Sequence, residues 1–150
     1  MNDAAADGIP DSVECPDFPI CPDSDGDGLT DYQEIFITNT DPNNIDTGND
    51  GSLDRDIDSD GDNLSDWYEL NVSNTDINSA DSDGDELNDD AEVLIHGTNP
   101  NNTDTDGDGF GDKAEIDGLV SKLDSNVTYF TDPSSVDTDQ EGVPDAVEYH

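Results

Sequence analysis

Basic residues are almost absent from this chain. Its 150 residues contain only 3 Lys and Arg against 41 Asp and Glu, which gives a formal net charge of −38. A nucleic acid is excluded as a partner, because binding a polyanion requires a basic surface. An anionic membrane surface is disfavoured for the same reason. Because this negative charge cannot be paired within the chain, we expect folding to require cations taken from solution.

Long apolar runs are missing as well. Hydrophobic residues make up 29% of the chain, and no apolar run exceeds about four residues, which is too short for a membrane span. The sequence also offers little material for a continuous hydrophobic core. We therefore predict no membrane insertion, and bound metal ions in place of the core.

Cysteine is limited to Cys15 and Cys21, each followed by a proline. Two thiols alone make a poor zinc site, whereas their short separation suits a local disulfide in an oxidising, extracellular compartment. The alternative is a pair of free thiols in a cytosolic protein. No signal peptide or lipidation motif is recognisable at the first residues, so we expect a fragment of a longer secreted protein.

The loop 104–115 carries carboxylates at positions one, three, five, nine and twelve. Ca²⁺ takes about six to eight oxygen ligands, and alternate residues of a tight loop can turn their carboxylates toward one ion. Gly107 and Gly109 permit the positive φ that such a loop needs. The predicted ligands are Asp104, Asp106, Asp108, Asp112 and a bidentate Glu115, with the backbone carbonyl of Phe110 at position seven.

The same register recurs in four further loops, 23–34, 58–69, 81–92 and 137–148. In the last of these, Gln140 and Glu141 replace Gly and Asp at positions four and five, so we expect a weaker site there. The predicted ligands, with position seven contributing its backbone carbonyl, are Asp23, Asp25, Asp27, Leu29, Asp31 and Glu34; Asp58, Asp60, Asp62, Leu64, Asp66 and Glu69; Asp81, Asp83, Asp85, Leu87, Asp89 and Glu92; and Asp137, Asp139, Glu141, Val143, Asp145 and Glu148.

Two degenerate copies complete the pattern. Loop 3–14 has Ala5 at position three, and loop 46–57 has Gly48 at position three and Ile57 at position twelve. Together the copies predict a single tandem array over 1–150. The predicted ligands are Asp3, Asp7, Ile9, Asp11 and Glu14 in the first copy, and Asp46, Asp50 and Asp54 in the second.

Each loop is predicted to run into a helix of about two turns, with an N-cap residue at position eight and a left-handed C-terminal cap. A recurring Thr-(Asp/Asn)-(Pro/Ile) segment links successive loops, and its Pro and Asx residues predict a compact turn. The connection after loop 104–115 contains an insertion within 116–130, the most apolar stretch of the chain. The predicted caps are Thr30, Ser65 and Asn88 at the start, and Asn39, Asn74 and Gly97 at the end.

The pattern Asp-x-Asp-x-Asp-Gly-Leu-x-Asp-x-x-Glu, followed by a Thr-Asp-Pro connector, resembles the thrombospondin type 3 calcium-binding repeats in their bacterial secreted and surface form. This resemblance covers nearly all of the chain. It implies a calcium-stabilised repeat array with little regular secondary structure, between neighbouring domains of a larger parent protein. The loops are EF-hand-like in ligand spacing and each is followed by a short helix, but the apolar residue stands at position seven, and no helix precedes the loop. Glu86 replaces Gly at position six, where a left-handed conformation costs roughly 1 to 2 kcal/mol.

We expect a calcium-binding structural spacer or stalk module of a secreted or cell-surface protein. The alternative is a calcium-dependent protein-binding or adhesion module that uses the 116–130 insertion or the repeat surface. Paired carboxylates also perform acid–base catalysis, but every such pair here has a place in a repeat, so we predict no enzyme. An intracellular calcium sensor is disfavoured, because a chain with 1 Met cannot form a Met-rich groove.

Overall fold

The computed structural model describes residues 21–120 and 128–148. These residues divide into two compact units, one formed by 21–59 and 65–68 and the other by 60–64, 69–120 and 128–148. The division falls inside loop 58–69, so it does not separate whole repeats. The single tandem array over 1–150 stays a prediction.

Regular secondary structure is sparse, as predicted. Each helix begins at position nine of a loop and is short, and the only sheet in the described part of the chain has two strands, β1 (Leu119–Val120) and β2 (Thr128–Tyr129). The α-helical segments are Asp31–Gln33, Asp66–Tyr68, Asp89–Ala91, Asp112–Asp117 and Asp145–Glu148; π-helical turns continue three of them over Glu34–Thr38, Glu69–Ser73 and Glu92–His96, and Asp54–Asp56 is a 3-10 turn.

The predicted caps at the helix starts are Thr30, Ser65 and Asn88; Thr30 makes a side-chain cap, whereas Asn88 stands at the N-cap without a side-chain hydrogen bond. Thr30 begins the first helix with a capping box, because its hydroxyl accepts from the Gln33 backbone N–H at 3.2 Å while the Gln33 side chain accepts from the Thr30 N–H at 2.9 Å. Asn39 ends that helix in the left-handed region at a φ of 60°, and Gly97 ends the third at 74°. Short polar caps thus confine each helix to the two turns that follow the loop.

The last turn of three helices is widened into a π-turn that starts at the closing Glu. The backbone N–H groups of Asn39 and Thr40 both reach the Glu34 carbonyl, the latter at 3.0 Å. The helix Asp112–Asp117 lacks this widening and ends at Gly118 instead. The π-turn therefore occurs where the connector Thr follows the closing Glu by six residues. After loop 104–115 the insertion lengthens this spacing, and the π-turn is missing there.

The interior of the described residues is mainly acidic. Only Leu29, Leu64, Ile77 and Leu87 are buried hydrophobic residues, whereas the closing Glu and the position-nine Asp of most loops are fully enclosed. Three of the four apolar residues stand at position seven of a loop. Their side chains pack inside while their backbone belongs to the carboxylate-lined turn, so packing and the loop conformation depend on each other.

The connectors form tight turns, as predicted. In each one, the backbone N–H of the fifth residue donates to the carbonyl of the second, the Asp or Asn that follows Thr: Asn44 to Asp41 at 2.9 Å, Ser79 to Asp76 at 2.8 Å, Asn102 to Asn99 at 2.9 Å, and Ser135 to Asp132 at 2.9 Å.

The described part of the 116–130 insertion forms a two-stranded antiparallel pairing, with Leu119 opposite Tyr129 and Val120 opposite Thr128. Gly118 precedes it at a φ of +96°, and a Cβ there would lie 2.9 Å from Cε1 of Phe130. Only glycine fits this position, because both the backbone conformation and the close approach exclude a side chain. Val120 and Phe130 remain 60% and 67% exposed. In the described ranges, no helix has the length and apolar character to cross a membrane.

Candidate metal centre

The first Asp of loops 23–34, 81–92 and 104–115 holds the turn that follows it. In loop 23–34, the two carboxylate oxygens of Asp23 accept from the N–H groups of Gly26 at 2.7 Å and Gly28 at 3.2 Å. Asp104 does the same for Gly107 at 2.8 Å and Gly109 at 3.1 Å. Positions four and six consequently have positive φ, which glycine adopts without strain. In loop 81–92 the position-six residue is Glu86, and its φ of 79° shows that the left-handed conformation is kept despite the side chain.

The carboxylates of positions one, three and five gather on one side of the turn. The N–H of residue five donates to the carboxylate of residue three, and the N–H of residue seven donates to that of residue five, for example Leu29 to Asp27 at 2.8 Å. Each residue of these triplets offers one oxygen, and the oxygens lie within 4.8 Å of one another. The groups are Asp23, Asp25 and Asp27; Asp58, Asp60 and Asp62; Asp81, Asp83 and Asp85; and Asp104, Asp106 and Asp108.

The closing Glu of the loop is fully buried at Glu34, Glu92 and Glu115, each 0% exposed. One oxygen accepts from the hydroxyl of the connector threonine, at 3.4 Å from Thr40, 3.1 Å from Thr98 and 2.7 Å from Thr131. The other oxygen, Oε2, is buried without a hydrogen-bond partner. Thr131 lies sixteen residues after Glu115, so the insertion changes the path of the chain but not this contact.

Burial raises the pKa of the closing glutamates. The pKa of Glu34 rises from 4.5 to about 8, first through burial and then through repulsion by Asp25 and Asp27. The pKa values of Glu92 and Glu115 rise to about 7, again mainly through burial, although the threonine hydroxyls oppose the shift. The carboxylates at positions three and five also repel both of these glutamates. An enclosed carboxylate next to other carboxylates is therefore a place where a cation would be stabilised.

The Asp at position nine occupies a different place from the triplet. It is buried in every described loop, and its two oxygens accept from the backbone N–H and the hydroxyl of the residue at position two, as Asp89 does from Ser82 at 2.9 and 2.7 Å. None of these aspartates belongs to the clustered groups above. The residues concerned are Asp31, Asp54, Asp66, Asp89, Asp112 and Asp145.

The residue at position two is a Ser or Thr in all six described loops, and the repeat spacing alone predicted no role for it. In four loops its hydroxyl also accepts an N–H from the preceding connector; for example, Asp76 donates to Ser82 at 2.8 Å while Ser82 donates to Asp89. A relay of two hydrogen bonds thus ties the connector turn to the start of the helix. The other relays join Asp41, Thr47 and Asp54; Asn99, Thr105 and Asp112; and Asp132, Thr138 and Asp145.

The final loop assembles differently. Asp139, Glu141 and Glu148 form its group, so the closing Glu joins positions three and five directly. A hydrogen bond with Glu141 raises the pKa of Glu148 to about 7, assisted by burial and by repulsion from Glu141. Gln140 takes the position-four conformation at a φ of 60°. Asp137 still accepts from Gly142, at 2.7 Å, so the frame of the turn is retained.

The degenerate loop 46–57 keeps the frame but not the cluster. Asp46 accepts from the N–H groups of Asp50 at 3.2 Å and Gly51 at 3.0 Å, and Asp54 is bound by Thr47 as in the complete loops. With Gly48 and Ile57 in place of two carboxylates, no metal-holding group forms here among the described residues. The other degenerate copy lies outside the described residues, and so does Cys15, so its disulfide with Cys21 stays a prediction. The predicted ligands concerned are Asp3, Asp7, Ile9, Asp11 and Glu14.

Hydrogen bonds also join one loop to the next. The backbone N–H of Arg55, at position ten of loop 46–57, donates to Asp27 of loop 23–34 at 3.1 Å. The N–H of Ala146 makes the same contact with Asp108, also at 3.1 Å. Between loops 58–69 and 81–92, the side chain of Asn63 donates to Asp90 at 3.0 Å.

Calcium fits these loops on the chemistry of their donors. The clustered side chains are all carboxylates, the hard oxygen donors that this ion prefers, and the clusters contain no His or Cys. Buried oxygens without a partner are expensive unless a cation meets them. They include Asp25 Oδ2, Asp83 Oδ2, Asp85 Oδ2 and Asp106 Oδ2 as well as Oε2 of Glu34, Glu92 and Glu115. The individual ligand roles, including the backbone carbonyls of Leu29, Leu64, Leu87, Phe110 and Val143, stay predictions.

Comparison with known proteins found similarities over parts of the chain. The chain is similar over part of its length to two solved structures, "Biofilm associated protein - B domain" and "Biofilm associated protein - BSP domain", with 42% and 44% identity and TM-scores of 0.30 and 0.28. The matches cover 30% and 29% of this chain but only 11% and 7% of those chains, so it spans a small part of their length. No curated protein matches it. The Bacterial TSP3 repeat family matches residues 23–45, 81–103 and 104–118. Three stretches of the chain therefore match the Bacterial TSP3 repeat family, in agreement with the resemblance that the loop pattern indicated.

Proposed function

We propose that this chain is a non-enzymatic spacer module of a secreted or cell-surface protein, folded and stiffened by bound Ca²⁺. One observation carries the proposal. In three loops the closing Glu is completely buried with an unpartnered oxygen; burial raises its pKa, and repulsion by the carboxylates at positions three and five raises it further. A fold that encloses carboxylates in this way is stable only when a cation offsets their repulsion and desolvation.

The residues that would hold the ion are the triplet carboxylates at positions one, three and five together with the closing Glu. Calcium would supply charge neutralisation and a rigid cross-link between the turn and the helix that follows it. In this proposal the loop is EF-hand-like in its ligand spacing. The position-nine Asp lies outside the clustered groups, and its two oxygens accept from the Ser or Thr at position two.

Calcium should stiffen the chain because the buried leucines belong to the same loops as the proposed ligands. Leu29, Leu64 and Leu87 are three of the four buried hydrophobic side chains among the described residues, and each stands two residues after the last Asp of a triplet. Repulsion between two unit charges about 4 Å apart is roughly 4 kcal/mol at an effective dielectric of 20. A core this small cannot offset several such repulsions. We therefore expect the loops to become ordered and these leucines to become buried together when calcium binds.

The extracellular assignment rests on chemistry. Carboxylate-rich loops of this type reach high occupancy where free calcium is high, and two closely spaced cysteines suit an oxidising compartment. Neighbouring domains of a longer parent protein would then be held apart by the calcium-loaded repeats.

The test is calcium removal from the intact chain. We expect chelation to abolish the helical far-UV signal and to enlarge the hydrodynamic radius, with recovery in millimolar calcium. Native mass spectrometry should count five ions, one for each group, which would add ten positive charges and bring the formal charge from −38 to −28. A spectrum and radius that are identical in chelator and in calcium would reject the proposal.

An adhesion or protein-binding role is a second candidate, because Val120 and Phe130 expose large apolar side chains on one face of the β1–β2 pair. Replacing both by Ser should abolish calcium-dependent capture of a partner from the native host surface. Val147→Ser removes an apolar side chain of similar exposure elsewhere and is the matched control. Equal capture by both variants would exclude this face.

A further inference from the structure

The sixth residues of loops 23–34 and 104–115 have the same backbone conformation and hydrogen bond but different surroundings. Gly28 and Gly109 have φ values of +107° and +106°, and both donate to the first Asp of their loop. No atom lies within 4 Å of a Cβ built on Gly109. A Cβ on Gly28 would lie 3.1 Å from Arg55 Nη1 and 3.4 Å from Trp67 Nε1. The first loop is therefore covered from outside by two side chains that the second lacks.

Arg55 and Trp67 each bind a backbone carbonyl of loop 23–34. Arg55 Nη1 donates to the Asp27 carbonyl at 3.2 Å, and its backbone N–H donates to the Asp27 carboxylate at 3.1 Å. Trp67 Nε1 donates to the Gly28 carbonyl at 2.7 Å. The guanidinium carbon of Arg55 lies 4.8 Å from the centroid of the Trp67 ring, so a cation–π contact joins the two side chains.

These contacts fix the orientation of two successive peptide groups. With both carbonyls held outward, the following N–H groups of Gly28 and Leu29 point to the carboxylates of Asp23 and Asp27. Side chains from outside the loop thus hold the sharpest part of the turn in place. Holding a binding loop in its bound conformation raises affinity, because less conformational entropy is lost on binding.

The position of Arg55 in the chain supports a role in holding loop 23–34. It stands in the degenerate loop 46–57, which keeps its hydrogen-bonded frame but lacks a metal-holding group within the described residues. We propose that Arg55 and Trp67 form a clasp that positions the turn Asp27–Gly28 and thereby raises the calcium affinity of loop 23–34, without either side chain being a ligand. This inference rests on the proposed calcium function.

The test is a calcium titration of the full-length chain, followed by the amide NMR resonances of its glycines. Gly26 and Gly28 report loop 23–34, while Gly107 and Gly109 report loop 104–115 as an internal reference. Trp67→Phe keeps an aromatic ring and the net charge but removes the N–H. We expect it to raise the half-saturating calcium concentration of loop 23–34 by about fivefold relative to the reference loop, the effect of losing one hydrogen bond.

Arg55→Lys keeps the charge and the backbone N–H but loses the planar donor fork, and we expect a shift in the same direction. Tyr68→Phe, which removes a hydroxyl beside Trp67, is the control and should leave the ratio of the two loops unchanged. Coupling between two sites is reciprocal, so calcium binding in loop 23–34 should also affect Trp67. We expect calcium to shift the indole N–H resonance of Trp67. Asp25→Asn should reduce that shift, whereas Asp106→Asn should not.

An unchanged ratio in both Trp67→Phe and Arg55→Lys overturns the clasp while leaving calcium binding intact. If one variant fails to fold, the other decides the question. An unmodified chain in which none of the four glycines responds to calcium overturns the proposed function itself.

Discussion

The indole N–H of Trp67 donates a 2.7 Å hydrogen bond to the backbone carbonyl of Gly28, thirty-nine residues earlier in the chain. By sequence, Trp67 is the tenth residue of loop 58–69 and should report on that loop alone. The structure instead places its indole against the turn of loop 23–34. A side chain of one repeat therefore contacts the turn of another.

The first prediction uses this contact. Terbium, a hard ion similar in size to calcium, should occupy the same carboxylate groups and emit when Trp67 is excited. Asp25→Asn should lower the sensitised emission clearly, because it removes a ligand beside the Gly28 turn. Asp106→Asn, the corresponding change in loop 104–115, is the control and should leave most of the emission. Equal emission from the two variants would show that Trp67 does not report on loop 23–34.

The second prediction concerns pH. Because the folded pKa values of Glu34, Glu92 and Glu115 are raised from 4.5 to between about 7 and about 8, the metal-free fold retains protons that the unfolded chain has lost. Their contribution to stability is fully present below pH 4.5 and is lost as the pH rises toward 8. In chelator, helical structure should therefore increase on acidification.

Calcium must displace these protons, so its binding should weaken below pH 7 by up to about tenfold per pH unit for each proton displaced. Calorimetry at pH 6.5 in two buffers of different ionisation enthalpy should detect proton release. Glu86→Gln alters an exposed side chain and should leave the release unchanged. Binding without proton release would contradict the raised pKa values.

The third prediction tests the relay at position two. Ser82→Ala removes the hydroxyl that donates to buried Asp89 and accepts from the Asp76 N–H. We expect the free energy of unfolding in saturating calcium to fall by about 1 to 3 kcal/mol, because a buried carboxylate loses a donor. Ser82→Thr keeps the hydroxyl, as loops 46–57, 104–115 and 137–148 do with Thr, and urea unfolding should find it close to the parent. If the free energy of unfolding falls equally in both variants, the effect comes from packing at position 82 and not from the hydroxyl.

The fourth prediction concerns backbone strain at Glu86, whose φ is 79°. Glu86→Gly should stabilise the calcium-loaded chain by about 1 kcal/mol, since relief of the left-handed conformation exceeds the added entropy of the unfolded chain. Glu86→Gln removes the charge but keeps the strain, so thermal unfolding should separate the two causes. If Gln stabilises as much as Gly, charge repulsion and not the backbone is responsible.

Local features were predictable because they depend on residues close in sequence. Glycine or Asn at fixed positions dictates positive φ, Thr30 and Asn39 cap the helix between them, and the triplet spacing brings alternate carboxylates together. The hydroxyl at position two was equally visible as a regularity, but a Ser or Thr beside Asp has many local uses, so spacing alone did not reveal its partner.

The sequence by itself determined where the repeats lie and which carboxylates cluster, and it predicted that cations replace a hydrophobic core, because these follow from short-range geometry and net charge. Only the tertiary structure decided that the position-nine Asp is enclosed by its neighbour at position two, that Thr131 reaches Glu115 across the insertion, and that Arg55 and Trp67 cover Gly28. Such contacts join residues far apart along the chain or select one of several local partners. Their choice depends on how successive loops pack, which repeat spacing does not encode.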